Sequence, residues 1–225
     1  MTKLSKEIIR LENVGFQAGK HEILTNINFT VEEGQLITVT GPSGGGKSTL
    51  LKLIGLLNSP TTGSIQYQGK NIFEYAPTEY RKEVSYFFQN AVLFDDTVRD
   101  NLAFPAKIRE IEFDESRAIE GLNIVQLPST YLDKPIQELS GGEKQRVALI
   151  RNLMYPPKVL LMDEVTSSLD KENGDIVVSF IRRLNEEEKV TVLWITHNQD
   201  EIDASSEIIT INNGKLEVTI DGKEF

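Results

Sequence analysis

Hydrophobic and polar residues alternate along KEIIRLENV (6–14) and again along HEILTNINFTVEE (21–33). A period of two puts one face of a strand in a core and the other in solvent, so these stretches are expected to form an antiparallel layer. The apolar run QLITVTG (35–41) follows and ends on glycine, as a more buried strand would. The period then changes. Leu50, Leu51, Leu53, Ile54 and Leu57 recur at helical spacing in STLLKLIGLL (48–57) and predict a helix with one broad apolar face. GSIQYQGKNI (63–72) predicts a further hairpin and SYFFQ (85–89) another strand. From Asn90 to about Gln137 the character differs, with Pro105, Pro128 and Pro135 separating helical patches. This region is expected to be a helical subdomain, running on into the next helix, within one domain that spans 1–225.

Regular alternation of element types returns after it. GGEKQRVALIRNLM (141–154) reads as a helix, KVLLMDE (158–164) as a buried strand, ENGDIVVSFIRRLNEE (172–187) as a helix and VTVLWITH (190–197) as a second buried strand, with Trp194 in the core. Strands alternating with helices imply an α/β fold around a mainly parallel sheet. EIITINNGKLEVTIDGKEF (207–225) offers two strands around Asn213-Gly214, a strong hairpin signal.

Composition narrows the function classes. With 24 Lys and Arg against 34 Asp and Glu the formal charge is −10, which disfavours a broad nucleic-acid footprint. The 225 residues include no cysteine, which removes disulfide frameworks, thiolate zinc sites and thiol catalysis. The N-terminus lacks the apolar core of a secretory signal. The longest apolar runs, such as VTVLWIT (190–196), fall far short of the roughly 20 residues of a membrane-spanning helix.

The chemistry concentrates in a few words. In GPSGGGKST, Gly41, Gly46, Lys47 and Ser48 satisfy G-x-x-x-x-G-K-[ST], between a predicted strand and a predicted helix as that pattern requires. Pro42, Ser43, Gly44, Gly45 and Thr49 complete the loop. Its glycines let backbone N–H groups turn inward around phosphate oxygens, the helix N-terminus adds positive potential, Lys47 reaches the β and γ phosphates and Ser48 supplies a Mg2+ ligand. In VLLMDE (159–164), four apolar residues bury a strand whose C-terminal end carries Asp163 and Glu164. Beside such a loop, Asp163 would hold Mg2+ directly or through water, and Glu164 would polarise an attacking water. Apart from the loop, an acidic strand exit is usually a solvated turn. His197, ending VLWITH, is placed to reach the same sheet edge, although a lone histidine is more often incidental. Gln89 could touch Mg2+ or the attacking water, or be an ordinary polar strand end. His21 has only the incidental reading. Ser140, Gly141 and Gly142 in LSGGEKQR could make a second anion nest at a helix N-terminus or serve simply as a helix cap.

The order of these words resembles, over essentially the whole chain, the nucleotide-binding subunit of ATP-binding cassette (ABC) transporters. The resemblance implies a P-loop NTPase core with an antiparallel β layer and an inserted helical subdomain, ATP and Mg2+ as ligands, and Mg-dependent ATP hydrolysis. It identifies Gln89 with the Q-loop, Asp163 and Glu164 with the Walker B pair, Ser167 to Asp170 with the D-loop and His197 with the switch histidine. Ser140 to Gly142 become the signature motif, which binds the γ-phosphate held by the other subunit of an ATP-bound homodimer. Many relatives place an adenine-stacking aromatic near the end of the first strand. Alignment puts Ala18 there, and Phe16, two positions earlier, is the candidate.

The resemblance also implies a separate polytopic membrane permease, with this subunit cytoplasmic and peripheral on the inner membrane face. Leu93, Phe94, Val98, Leu102 and Phe104 are candidates for the apolar floor of the permease groove, with Asp95, Asp96 and Asp100 facing a basic loop. About half of these apolar residues are expected in the subdomain core instead. SYFFQNAVLFDDTV, RNLMYPPKVLLMDEVTSSLD and VLWITHNQDEI are similar to the ATPases of bacterial iron exporters, which implies metal export. The alternative is a non-transport ABC ATPase that acts as a mechanical switch on a division-type membrane partner.

Overall fold

The computed structural model describes residues 6–88, 92–167, 169–203 and 205–219. It separates into two compact units, one of 1–86, 157–164 and 184–225, the other of 87–156 and 165–183.

The first unit holds two sheets. Strands β1 (Glu7–Ala18) and β2 (His21–Glu32) pair antiparallel, as the alternation predicts, and β1 runs four residues beyond the alternating stretch. Strand β4 (Thr62–Tyr67) pairs antiparallel with β1 on its other edge and turns back into the short β5 (Lys70–Asn71). Gln68 (φ 50°) and Gly69 (φ 76°) make that two-residue turn. The second sheet has the order β10-β9-β3-β8-β7-β6, built from β3 (Leu36–Thr40), β6 (Val84–Phe87), β7 (Val159–Asp163), β8 (Thr191–Ile195), β9 (Glu207–Asn212) and β10 (Lys215–Thr219). β3 is parallel to both β8 and β9, and β7 is parallel to β8, while β9 and β10 form the antiparallel hairpin over Asn213-Gly214. Every residue of β7 and β8 is buried, Trp194 among them, which explains their unbroken apolar runs.

Helix α1 (Lys47–Ile54) inserts Leu50, Leu51, Leu53 and Ile54, all fully buried, into the core between the sheets. Each such side chain contributes about 2 kcal/mol of apolar burial. It stops at Gly55, three residues short of the apolar pattern, and Leu56 takes a left-handed φ of 53°. The short helix α2 (Pro77–Glu83) secures that end: buried Tyr80 donates its hydroxyl to the carbonyl of Ile54 at 2.7 Å, satisfying one of the acceptors a helix C-terminus leaves open.

The second unit is helical. Helix α3 (Val98–Lys107) starts from a capping box of Thr97 and Asp100, α4 (Glu115–Ile124) from an Asp114 cap, and α5 (Gly141–Leu153) from a Ser140–Glu143 capping box. Val98, Leu102, Ala118, Leu122, Val147 and Ile150 are buried in it. Helix α6 (Lys171–Glu188) begins in this unit and ends in the first, and α7 (Gln199–Ile202) is a single turn after β8.

Candidate functional site

The chain leaves β3 at Gly41 and enters α1 at Lys47 through a loop that needs glycine at three of its positions. Gly41, Gly44 and Gly46 have φ of 130°, 76° and 107°. A Cβ on Gly41 would stand 2.1 Å from the Ile211 carbonyl oxygen, and one on Gly45 2.8 Å from the same atom. The loop is therefore packed against β9, and the N–H of Gly214 in the β9–β10 turn donates to the Gly45 carbonyl at 3.2 Å. Lys47 is buried and its ammonium donates to the carbonyls of Gly41 (2.8 Å) and Pro42 (2.9 Å), so the charge is held over the loop by backbone oxygens. No acidic residue lies in the first turn of α1, so its N–H groups and dipole face the loop unopposed.

The acidic strand end meets this loop. Ser48 Oγ donates to Asp163 Oδ1 at 2.9 Å, and the Tyr86 hydroxyl donates to Asp163 Oδ2 at 2.6 Å. Asp163 is only 9% exposed. Immediately beyond, Glu164 adopts a left-handed φ of 50° while its N–H donates to the Ile195 carbonyl at 3.1 Å. A non-glycine residue is strained there, and the strain turns Glu164 off the strand axis at the sheet's C-terminal edge. His197, two residues beyond β8, brings Nε2 to 3.7 Å from Glu164 Oε1. That is too long for a hydrogen bond and short enough for both groups to touch one small group between them. Ser48, Asp163, Glu164 and His197 are thus gathered at the phosphate loop. The nearest donors to the loop, Ser48 Oγ and the Asp163 carboxylate, are oxygens, a pair that suits Mg2+, which binds through one or two protein oxygens and keeps the rest of its shell for water and phosphate. Among the described residues no group of three or more His, Cys, Asp and Glu forms a protein-only metal cage.

In the first sheet Phe16 pairs with Leu24 across β1 and β2, and Leu24 abuts the loop: a Cβ on Gly46 would lie 2.8 Å from its Cδ2. Phe16 is partly buried, whereas Ala18 pairs with His21 at the exposed end of the ladder. In the helical unit, Ser140 Oγ accepts the Glu143 N–H at 3.3 Å, while Glu143 accepts the Ser140 N–H at 2.7 Å and the Tyr131 hydroxyl at 2.8 Å. These bonds, led by the Ser140 N–H, hold the Glu143 carboxyl below its ordinary range. Gly141 is exposed, and a Cβ built on it would meet nothing within 4 Å. Asp170 caps the start of α6 through Asn173, which lowers its carboxyl too. Gln89 lies outside the described residues, as does Ser168 of the Ser167–Asp170 stretch.

Residues 24–167 match the family described as ABC transporter. The chain belongs to that family. This ABC chain is 48% identical, over 91% of its own length and 91% of the relative's, to the probable iron export ATP-binding protein FetA of Escherichia coli. It is 35% identical to the putative ABC transporter ATP-binding protein YjkB of Bacillus subtilis, over 80% of this chain and 72% of that one. A dimeric ATP-binding cassette in a post-hydrolysis state bound to ADP and Pi superposes with a TM-score of 0.85 at 30% identity, over 97% of this chain and all of that one. A bacterial Atm1-family ABC exporter with ATP bound gives 0.84 at 29% identity, over 96% of this chain and 39% of that one. The fold is that of the P-loop cassette, with a parallel core and an antiparallel layer.

Of the five apolar groove candidates on the helical unit of the ABC chain, two lie in the core, in line with the expectation that about half would. Val98 and Leu102 are fully buried and belong to the interior, because they fall on the inner face of α3, and Asp100 turns back to cap Thr97. Phe94 and Phe104 do meet, edge to face at 4.7 Å, with the Arg151 guanidinium 4.9 Å from the Phe94 ring and donating to the Val92 carbonyl. Phe104 is 39% and Val92 69% exposed. Two contributors escaped sequence reasoning. Tyr86 was hidden as one of several strand aromatics, its hydroxyl being the distinguishing signal, and the Ile211–Gly214 wall of the phosphate loop left no signal beyond the hairpin.

Proposed function

We propose that the chain is the ATP-binding and ATP-hydrolysing subunit of an ABC transporter in which a separate membrane permease carries the cargo. The observation that carries this reading is the convergence of the Ser48–Asp163 pair, the Glu164–His197 pair and the glycine loop around Lys47. Lys47 exchanges its two loop carbonyls for β- and γ-phosphate oxygens, and the loop N–H groups take the remainder. Phe16 is read as the adenine-facing aromatic on the strength of its neighbour Leu24, which abuts Gly46. Ser48 and Asp163, with Gln89 as a further contact, would hold Mg2+, which would neutralise charge on the phosphates. Glu164 orients and deprotonates the attacking water, with His197 on the same water or on the γ-phosphate. The two compact units are read as parts of one catalytic domain. Ser140 to Gly142 in the helical unit, the first two exposed, serve the nucleotide of a second copy, so the ATP-bound form is a homodimer.

Among the described residues no helix is long and apolar enough to cross a membrane. Attachment to the inner face is therefore assigned to the permease, through the exposed edge of Phe104, Val92 and the Phe94–Arg151 pair, with Asp95 and Asp96 beside them. The 48% identity to a probable iron export ATP-binding protein supports metal export as the work done. The test is capture: tagged Glu164→Gln protein is incubated with Mg-ATP and gently solubilised native membranes, and whatever co-purifies is identified. A polytopic membrane protein that, co-reconstituted with the wild-type chain on the outer face of vesicles, carries iron from the medium into the lumen on ATP addition is expected. Recovery of only a division-type membrane protein or of soluble machinery would overturn the transporter reading.

A further inference from the structure

Asp163 is held by two hydroxyls, and the phosphate-loop motif supplies only one of them. Ser48 occupies Oδ1 at 2.9 Å and Tyr86 occupies Oδ2 at 2.6 Å. We infer that Tyr86 is a positioning residue for the divalent ion: it locks the Asp163 carboxylate in the orientation that receives the ion's hydration shell, and so sets how strongly the metal tightens nucleotide binding. This inference rests on the Mg2+ reading above.

A carboxylate oxygen accepts about two hydrogen bonds. With one acceptor position on each oxygen already filled, Asp163 keeps one position on each for metal-bound water. The two donors come from different elements, Ser48 from the first turn of α1 and Tyr86 from β6, so rotation of the carboxylate is blocked from two sides. The Tyr86 contact has the length of a charge-assisted O–H···O⁻ bond. Tyr86 is 9% exposed, and Gly55 leaves room beside it: a Cβ there would come 3.3 Å from Leu161 Cδ1 and 3.4 Å from Tyr86 Cδ2. Ser48 in the first turn of α1 thus meets the carboxylate, and the residue just past its end, Gly55, has no side chain to press on the phenol ring. Phe87 and Phe88 follow Tyr86 in the chain and have no hydroxyl, so the bond is specific to position 86.

Tyr86→Phe tests this, because it keeps the ring against Gly55 and removes only the oxygen. Affinity for a hydrolysis-resistant ATP analogue is measured on the full chain in EDTA and in excess Mg2+, and thermal unfolding of both proteins is recorded. The ratio of the two affinities reports what the metal contributes. We expect that ratio to fall about tenfold in Tyr86→Phe, the scale at which hydrogen bonds behind a metal ligand act, with the EDTA affinity unchanged. An unchanged or larger ratio would overturn the inference, and so would an equal loss in EDTA and in Mg2+, which would make Tyr86 a packing residue only. A wild-type ratio near unity would remove the Mg2+ reading itself, and the role of Tyr86 with it.

Discussion

Gly41 and Gly44 lie three residues apart in one loop and both have positive φ, yet a methyl group would meet very different surroundings at each. At Gly41 it would collide with the Ile211 carbonyl at 2.1 Å, a backbone atom of the β9–β10 ladder, whereas at Gly44 it would meet nothing within 4 Å. Gly44→Ala should therefore cost only the left-handed strain, about 1 kcal/mol. Gly41→Ala must also displace a strand, and about 3 kcal/mol or more is expected. Denaturant unfolding of the two variants checks the difference; equal losses would mean that the loop is not braced by β9. The same logic explains why the phosphate loop was legible in the sequence and its brace was not. The glycines are demanded by local φ, which a spacing pattern records. The carbonyl that presses on Gly41 belongs to a residue 170 positions away, and an isoleucine in a strand pattern carries no mark of what its backbone touches. Tyr86 was missed for a related reason: a period-two pattern predicts that a strand aromatic is buried, without saying what its hydroxyl will find.

Helix α5 shows one segment answering to two demands. Ser140 caps the helix and accepts the Glu143 N–H, while Glu143 returns a bond to the Ser140 N–H and receives the Tyr131 hydroxyl. Ser140→Ala should cost about 1 kcal/mol of stability from the cap alone, whatever it does to turnover. Glu143 adds a pH dependence whose sign is fixed. Its folded carboxyl binds a proton more weakly than in the unfolded chain, so its contribution is present above the ordinary glutamate range and lost as pH falls through the lowered folded value. Wild type should exceed Glu143→Gln in unfolding free energy at about pH 7, with the gap closing below about pH 4; a gap that widened in acid would contradict the assignment. Element types with strong periods were legible, as β7, β8, α5 and α6 demonstrate, because burial on both faces of a strand or one face of a helix writes itself into the apolar pattern. The end of α1 was not: Leu57 continues the helical spacing, but Gly55 and the Tyr80 hydroxyl on Ile54 stop the helix earlier. Which of the five apolar groove candidates are interior was not legible either, because helical spacing gives a face without saying which way it points; Val98 and Leu102 are the two fully buried.

Two glycine-rich words sit about a hundred residues apart, and the proposed dimer gives each ATP one word from each chain. The alternative, in which Ser140 to Gly142 complete the site of their own chain, makes a different prediction for mixed subunits. Lys47→Ala removes the phosphate-binding charge. Gly141→Asp places a carboxylate at the start of α5, where there is open space for the side chain and the helix dipole favours an acid, so the variant should fold while repelling phosphate. Each variant alone should be nearly inactive. In an equal mixture, half the dimers are mixed, and each mixed dimer has one site in which the intact Lys47 of the Gly141→Asp subunit faces the intact Gly141 of the Lys47→Ala subunit. Its other site carries both defects. With a two-fold interface and independent sites, the mixture should recover about a quarter of wild-type ATPase activity. If each chain completed its own site, every subunit in the mixture would remain defective and no activity would return. Recovery therefore distinguishes assembly across two chains from assembly within one, without depending on which permease the dimer drives or which cargo it moves.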